Sequence, residues 1–205
     1  MASRKQVLLI SLHNLPWFDE MYDALLAAVR SKADLERAED ATSALRLLTQ
    51  QPPPSAVIVT DEALTFAKNT RIWDATIEYV RQGGTAVVMG LFPSFVQPDK
   101  INPFFSRAGL DWEVASYRRT TTVLNRAAVD TALAAKLPPS YSQKAVSVRN
   151  FAPTEAWYQP SEDSCVTGES AVVLARLGSG KLGYVGDVNA EKGSDAAILA
   201  MCGLG

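Results

Sequence analysis

The stretch Gly84-Thr85-Ala86-Val87-Val88-Met89-Gly90-Leu91-Phe92-Pro93-Ser94 decides the fold. From Thr85 to Met89 the residues are β-branched or apolar without polar alternation. That is the pattern of a strand covered on both faces, as in a parallel sheet layered between helices. Gly90 then closes the strand in a sharp turn, where many α/β proteins present a nucleophile. Here the turn offers Leu91 and Phe92, whose side chains can attack nothing.

Upstream, the same alternation of short strands and helical patterns repeats. Val7 to Leu12 reads as a central strand, Ala33 to Ala38 as a more polar edge strand, and Ala56 to Thr60 as a third strand running into Asp61-Glu62. Between them, Pro16 opens a helix that places Trp17, Phe18, Met21, Tyr22, Leu25, Leu26 and Val29 on one face. Ala41 to Gln51 forms a short helix stopped by Pro52-Pro53-Pro54. Arg71 to Arg81 forms another, with Ile72, Trp73, Ile77 and Val80 on one side and Gly83-Gly84 at its end. This order predicts an α/β chain with a doubly wound, mostly parallel, flavodoxin-like sheet and right-handed crossovers.

Downstream, residues 91–170 are less regular. Phe104-Phe105 and Trp112 suggest a lid on the core, Glu113 to Leu124 one or two strands, Ala127 to Leu137 a helix, and Lys144 to Val148 a strand. The chain closes with Ala171 to Arg176, a Gly178-Ser179-Gly180 turn and Lys181 to Gly186. These predict an antiparallel β-hairpin feeding a last helix from about Ser194. With neither repeat nor low-complexity linker, residues 1–205 read as one domain whose middle region is elaborated.

Composition narrows the function classes. A net charge of -2, with Lys and Arg scattered, gives no electrostatic reason to expect nucleic acid or an anionic membrane surface as partner. The apolar run from Val7 to Leu12 is too short for a signal-peptide core or a membrane span. Two cysteines, Cys165 in a polar stretch and Cys202 in an apolar one, make no disulfide framework and suit a reducing, cytoplasmic setting.

The order of elements, together with the run Gly180-Lys181-Leu182-Gly183-Tyr184-Val185-Gly186-Asp187-Val188-Asn189, resembles the class I glutamine amidotransferase-like superfamily, including its ThuA-like relatives. In active amidotransferases of that superfamily a Cys stands at the elbow after the fourth core strand, and a His-x-Glu follows the late strand. Those positions fall here on Leu91 and on Asp187 and Asn189. Acyl transfer from glutamine needs a thiolate and a base to activate it. The resemblance therefore implies an amidotransferase-like protein with the Cys-His-Glu triad absent and no glutaminase activity. Family habit further implies a homodimer.

Parallel α/β sheets bind ligands outside the carboxyl ends of their strands. The residues at those ends define a candidate pocket: His13, Asn14, Asp61, Glu62, Leu91, Phe92, Ser94, Asp187 and Asn189, with Glu191 beyond. The leading reading is a protein that binds a small molecule or a protein partner at this edge. A second is a hydrolase or lyase acting on a small sugar-like or acyl substrate, with His13, the only histidine, as base beside Asp61 or Asp187. A third is an interaction module whose crevice is plugged by Phe92 and Phe95. The plainer reading, which the residues favour, is that His13-Asn14 simply caps the helix that Pro16 begins. Ser94 lacks the Gly-x-Ser-x-Gly frame of a nucleophile.

No cofactor is expected. Gly178-Ser179-Gly180-Lys181 fails as a phosphate loop, because Ala175 replaces the first glycine and Leu182 the magnesium-binding hydroxyl residue. The segment Ser11-Leu12-His13-Asn14-Leu15-Pro16 lacks a hydroxyl-rich cradle for flavin phosphate. No histidine pair is spaced to hold a metal.

Overall fold

The structure is a computed structural model that describes residues 4–205. Its first half contains β1 (Lys5–Ile10), α1 (Phe18–Met21), α2 (Asp23–Lys32), β2 (Ala33–Ala38), α3 (Ala41–Thr49), β3 (Ala56–Val59), α4 (Thr70–Arg81) and β4 (Thr85–Val88). There follow α5 (Phe92–Phe95), α6 (Pro98–Ser106), β5 (Glu113–Leu124), α7 (Thr131–Ala134), β6 (Ser140–Arg149), β7 (Tyr158–Pro160), β8 (Val172–Leu177), β9 (Gly180–Val185) and α8 (Lys192–Met201).

Six strands make one sheet in the order β2-β1-β3-β4-β9-β8. All neighbours in it run parallel except β8, which pairs antiparallel with β9 as the predicted hairpin. The absence of polar alternation in the central strands now has its reason. Val7, Leu9, Ile58 and Val87 face a cluster with Leu25, Leu26 and Val29 of α2 and Ile198 of α8. Their neighbours Leu8, Ile10, Val57 and Val88 face another, with Leu47 of α3 and Ile72, Trp73 and Val80 of α4. Each such buried side chain contributes on the order of 2 kcal/mol.

Gly180 shows why the hairpin turn is glycine-rich. A Cβ there would lie 2.0 Å from the carbonyl oxygen of Val80 and 2.1 Å from that of Gly84. The hairpin therefore packs directly on the α4–β4 connection, and Lys181 N–H donates to Gly84 O at 3.0 Å. A phosphate has no room in this turn.

Several expectations need correction. The helix read from Pro16 breaks at Tyr22 (φ -106°, ψ 19°) into α1 and α2. Phe18, Tyr22, Leu25, Leu26 and Val29 still fall on one buried face, whereas Trp17, at the N-cap before α1, is 42% exposed. Phe104, Phe105 and Trp112 are no lid: all three are buried in the α4-side core, where Trp73 stacks on Phe104 at 3.9 Å. The helix expected over 127–137 shrinks to α7, because the Asp130 carboxylate accepts from Leu133 N–H and starts it late. Glu113 to Leu124 is one strand with a bulge, and it centres a separate antiparallel sheet, β6-β5-β7. Bridges at Ala145–Asp187, Val148–Ser170 and Ala156–Val173 join this sheet to the larger one.

Cys165 is exposed and Cys202 buried, both free. Among the described residues, no helix is long and apolar enough to cross a membrane.

Candidate functional site

The turn after β4 is built to be buried. Gly90 takes φ +71°, and a Cβ there would meet Thr60 O at 2.9 Å and the Phe18 ring at 3.2 Å. Leu91 and Phe92 both donate backbone N–H to Thr60 O, at 2.6 and 3.1 Å, tying the turn to the end of β3. Leu91 itself has ordinary right-handed helical geometry (φ -78°, ψ -17°) and is 2% exposed. It is therefore not held in the strained, outward presentation that a nucleophile elbow uses. Phe92 is fully buried, with Phe104, Phe105 and Tyr184 rings at 5.0, 6.2 and 6.2 Å. Phe95 does not plug the crevice alongside it. It is 44% exposed and lies 6.2 Å from Trp17.

At the ends of β1 and β3 a polar network forms. Ser11 Oγ and Thr60 Oγ1 are 2.7 Å apart, and Thr60 Oγ1 donates to Ile10 O at 3.0 Å. Asp61 is 2% exposed, and its carboxylate accepts from the backbone N–H groups of His13 and Ala63, each at 3.0 Å. Burial pushes its carboxyl pKa up, opposed by those two hydrogen bonds. Asp61 thus caps the short 3-10 turn Glu62–Thr65 and anchors the β1 loop.

The ring of His13 meets Glu62, not Asp61 or Asp187: Nδ1 and Glu62 Oε1 are 2.7 Å apart. Glu62 is buried, whereas the His13 side chain is 51% exposed. A carboxylate on Nδ1 favours the tautomer that carries its proton there and leaves Nε2 as an acceptor. Asn14 does not cap the following helix, since its amide donates to Glu39 Oε1 at 3.0 Å. Ser94 is exposed, and among the described residues no hydrogen bond joins it to His13.

Asp187 and its neighbours do different work. Asp187 is 4% exposed, and its carboxylate accepts from Asn189 and Glu191 N–H, each at 2.8 Å. Burial raises its pKa, and the Ser194 hydroxyl and these two N–H groups oppose the rise. It closes the turn that starts α8. Glu191 accepts from Arg119 Nη1 of β5 at 2.9 Å, and with its amide turned the exposed Asn189 accepts from Arg119 Nη2 at 2.7 Å. Asp187 is thus a turn-closing carboxylate, and Asn189 and Glu191 tie the β9–α8 connection to β5.

Of the five exposed large hydrophobic residues among those described, three lie in the connections that follow β1, β3 and β4: Trp17, Phe66 and Phe95, the last at the end of α5. His13 and Glu62 stand in two of the same connections, after β1 and β3. Phe66 escaped the sequence reading because it stands alone in the polar run Thr65 to Thr70, with no periodicity to mark it. Among the described residues, no group of three His, Cys, Asp or Glu side chains is arranged to hold a metal ion.

Neither a family model nor a curated protein matches this chain. Solved structures do. A Bacteroides uniformis protein described as ThuA-like matches with a TM-score of 0.64 at 11% identity, over 98% of this chain and 90% of that one. A Thermoplasma acidophilum protein described as part of a GMP synthase matches with a TM-score of 0.54 at 8% identity, over 100% and 95%. A β-galactosidase from Halorubrum lacusprofundi matches with a TM-score of 0.56 at 18% identity, over 99% of this chain but 31% of that one. The chain therefore shares its fold with these structures. Within them it is similar to the ThuA-like proteins over nearly the whole length of both chains.

Proposed function

We propose that this chain is a binding protein of the amidotransferase-like fold, without glutaminase activity, acting as one domain. It holds a small molecule or a protein partner at the carboxyl edge of the sheet. The observation that carries this reading is the burial of Leu91 and Phe92 where the nucleophile would stand, with Trp17, Phe66 and Phe95 exposed in the connections after β1, β3 and β4, the first two of which also carry the His13–Glu62 pair. Exposed aromatic rings at the same sheet edge as a half-exposed imidazole suit recognition more than acyl transfer. The free thiols favour the cytoplasm. The homodimer is tested by light scattering.

Trp17 supplies the test, because the other three tryptophans are at most 5% exposed. Small metabolites are screened for quenching of tryptophan emission, with Trp17→Phe as the blank and Phe95→Ala and His13→Ala as the site variants. The proposal expects hits that both site variants weaken. Hits indifferent to Phe95 and His13 would place binding elsewhere and sink it. So would glutamate release from glutamine above the buffer rate.

The 2.7 Å contact between His13 and Glu62 supports a second reading, a hydrolase or lyase on a small sugar-like or acyl substrate with Glu62 in place of Asp61 or Asp187. Turnover of such a substrate that Glu62→Gln and His13→Ala both abolish would favour it.

A further inference from the structure

At the opposite end of the sheet, the β8–β9 hairpin, the end of α8 and the segments around residues 130 and 155 surround an open pocket of about 410 Å³. Its apolar wall includes Val129, Trp157, Leu174 and Met201, and its charged rim includes Arg176 and Lys181. Those two cations are direct cross-strand partners in the β8–β9 register. Like charges directly opposite destabilise a sheet, so the pairing costs stability unless something offsets it.

Among the described residues no ion pair does so. Among the described residues, neither Arg176 nor Lys181 has a carboxylate within ion-pair distance. The two carboxylates that line the pocket are engaged elsewhere. Asp130 accepts from Leu133 N–H at 2.9 Å, and Glu155 Oε2 accepts from the Trp112 indole and from Ala152 N–H, each at 3.1 Å. Two cations and two carboxylates thus line the pocket, and among the described residues no ion pair joins them, so Arg176 and Lys181 remain without a partner beside Trp157 and Met201. The volume falls within the range of small-molecule sites, roughly 300–1,000 Å³.

We propose that this pocket is a second binding site, for a small amphipathic carboxylate. The ligand's hydrocarbon or aryl part lies along Trp157 and Met201, and its carboxylate is held between Arg176 and Lys181. The guanidinium fork accepts a carboxylate bidentately and the ammonium adds a point charge. Binding removes the repulsion between the two strands. The site is separate from the His13 edge, so its occupancy does not depend on the function proposed there.

The test uses octanoate and 4-phenylbutanoate as probes, with their neutral amides as controls, followed by calorimetry and by the indole N–H resonance of Trp157. Each carboxylate is expected to bind at least about tenfold more tightly than its amide, as a charge-assisted hydrogen bond would dictate. The Trp157 signal is expected to shift on binding. Arg176→Gln/Lys181→Gln is expected to erase the preference without lowering the melting temperature, since it removes a like-charge pair. Failure of both carboxylates to bind overturns the proposal. So does equal binding of acid and amide, or carboxylate binding that persists in the double variant.

Discussion

Asp195 lies in the first turn of α8, where its Oδ1 atom is buried without a hydrogen-bond partner, as is the hydroxyl of Tyr22. Burial first, and then the nearby Asp187 charge, pushes the Asp195 carboxyl from 3.8 up to about 6. A folded-state value raised above the unfolded one stabilises the protein fully at pH values below the unfolded pKa. That contribution is lost as pH rises from about 4 through about 6, and above this window the folded chain carries a poorly solvated charge. At 1.36 kcal/mol per unit the full shift corresponds to about 3 kcal/mol. Asp195 is only partly buried, and screening by solvent reduces this to about 1.5 kcal/mol. The α8 dipole favours a negative charge in its first turn by about 0.5 kcal/mol. Asp195→Asn should therefore gain about 1 kcal/mol at pH 8, with little gain at pH 4. Urea unfolding of both proteins at pH 4, 6 and 8 measures the difference. A gain of equal size at every pH, or a loss at pH 8, would refute the account.

Phe92→Ala removes a fully buried ring from contact with Phe104, Phe105 and Tyr184, and should cost about 3–5 kcal/mol in chemical denaturation. A loss below about 1 kcal/mol would mean the turn after β4 is open. In a Cys165→Ser background, Leu91→Cys should react with a thiol reagent far more slowly than Cys165 does in the native chain, and should yield no glutaminase activity. The site is 2% exposed and has no base to activate a thiol. Gly180→Ala should destabilise by about 3 kcal/mol or more, because the new methyl meets two backbone carbonyls that cannot move aside like a side chain. Trp17→Phe should remove most of the emission that acrylamide quenches, leaving three tryptophans at most 5% exposed.

Local pattern in the sequence carried the main sheet. Non-alternating runs such as Val7 to Ile10 and Ala86 to Val88 identify strands buried on both faces. Pro52-Pro53-Pro54 and Gly83-Gly84 mark helix ends, and the glycines around Ser179 mark a hairpin. These are short-range signals, because burial on two faces and backbone turns constrain neighbouring residues. The rule that ligands meet the carboxyl ends of parallel strands also picked out His13, Asp61 and Glu62 without any structure.

Tertiary contacts decided the rest. Which of two adjacent carboxylates faces the imidazole depends on the turn after β3. Asp61 is drawn into capping backbone N–H groups, which leaves Glu62 for the ring. The β6-β5-β7 sheet depends on pairing between residues such as Arg119 and Lys144, too far apart in the chain for periodicity to register. Trp17 reads as a core residue on the helix that Pro16 opens, but the helix starts only at Phe18 and leaves Trp17 at its cap, half in solvent. The Arg176–Lys181 pair is visible as two scattered cations in the sequence. It becomes a charged rim over a pocket only when the hairpin register sets the two side chains opposite each other and α8 places Met201 beneath them.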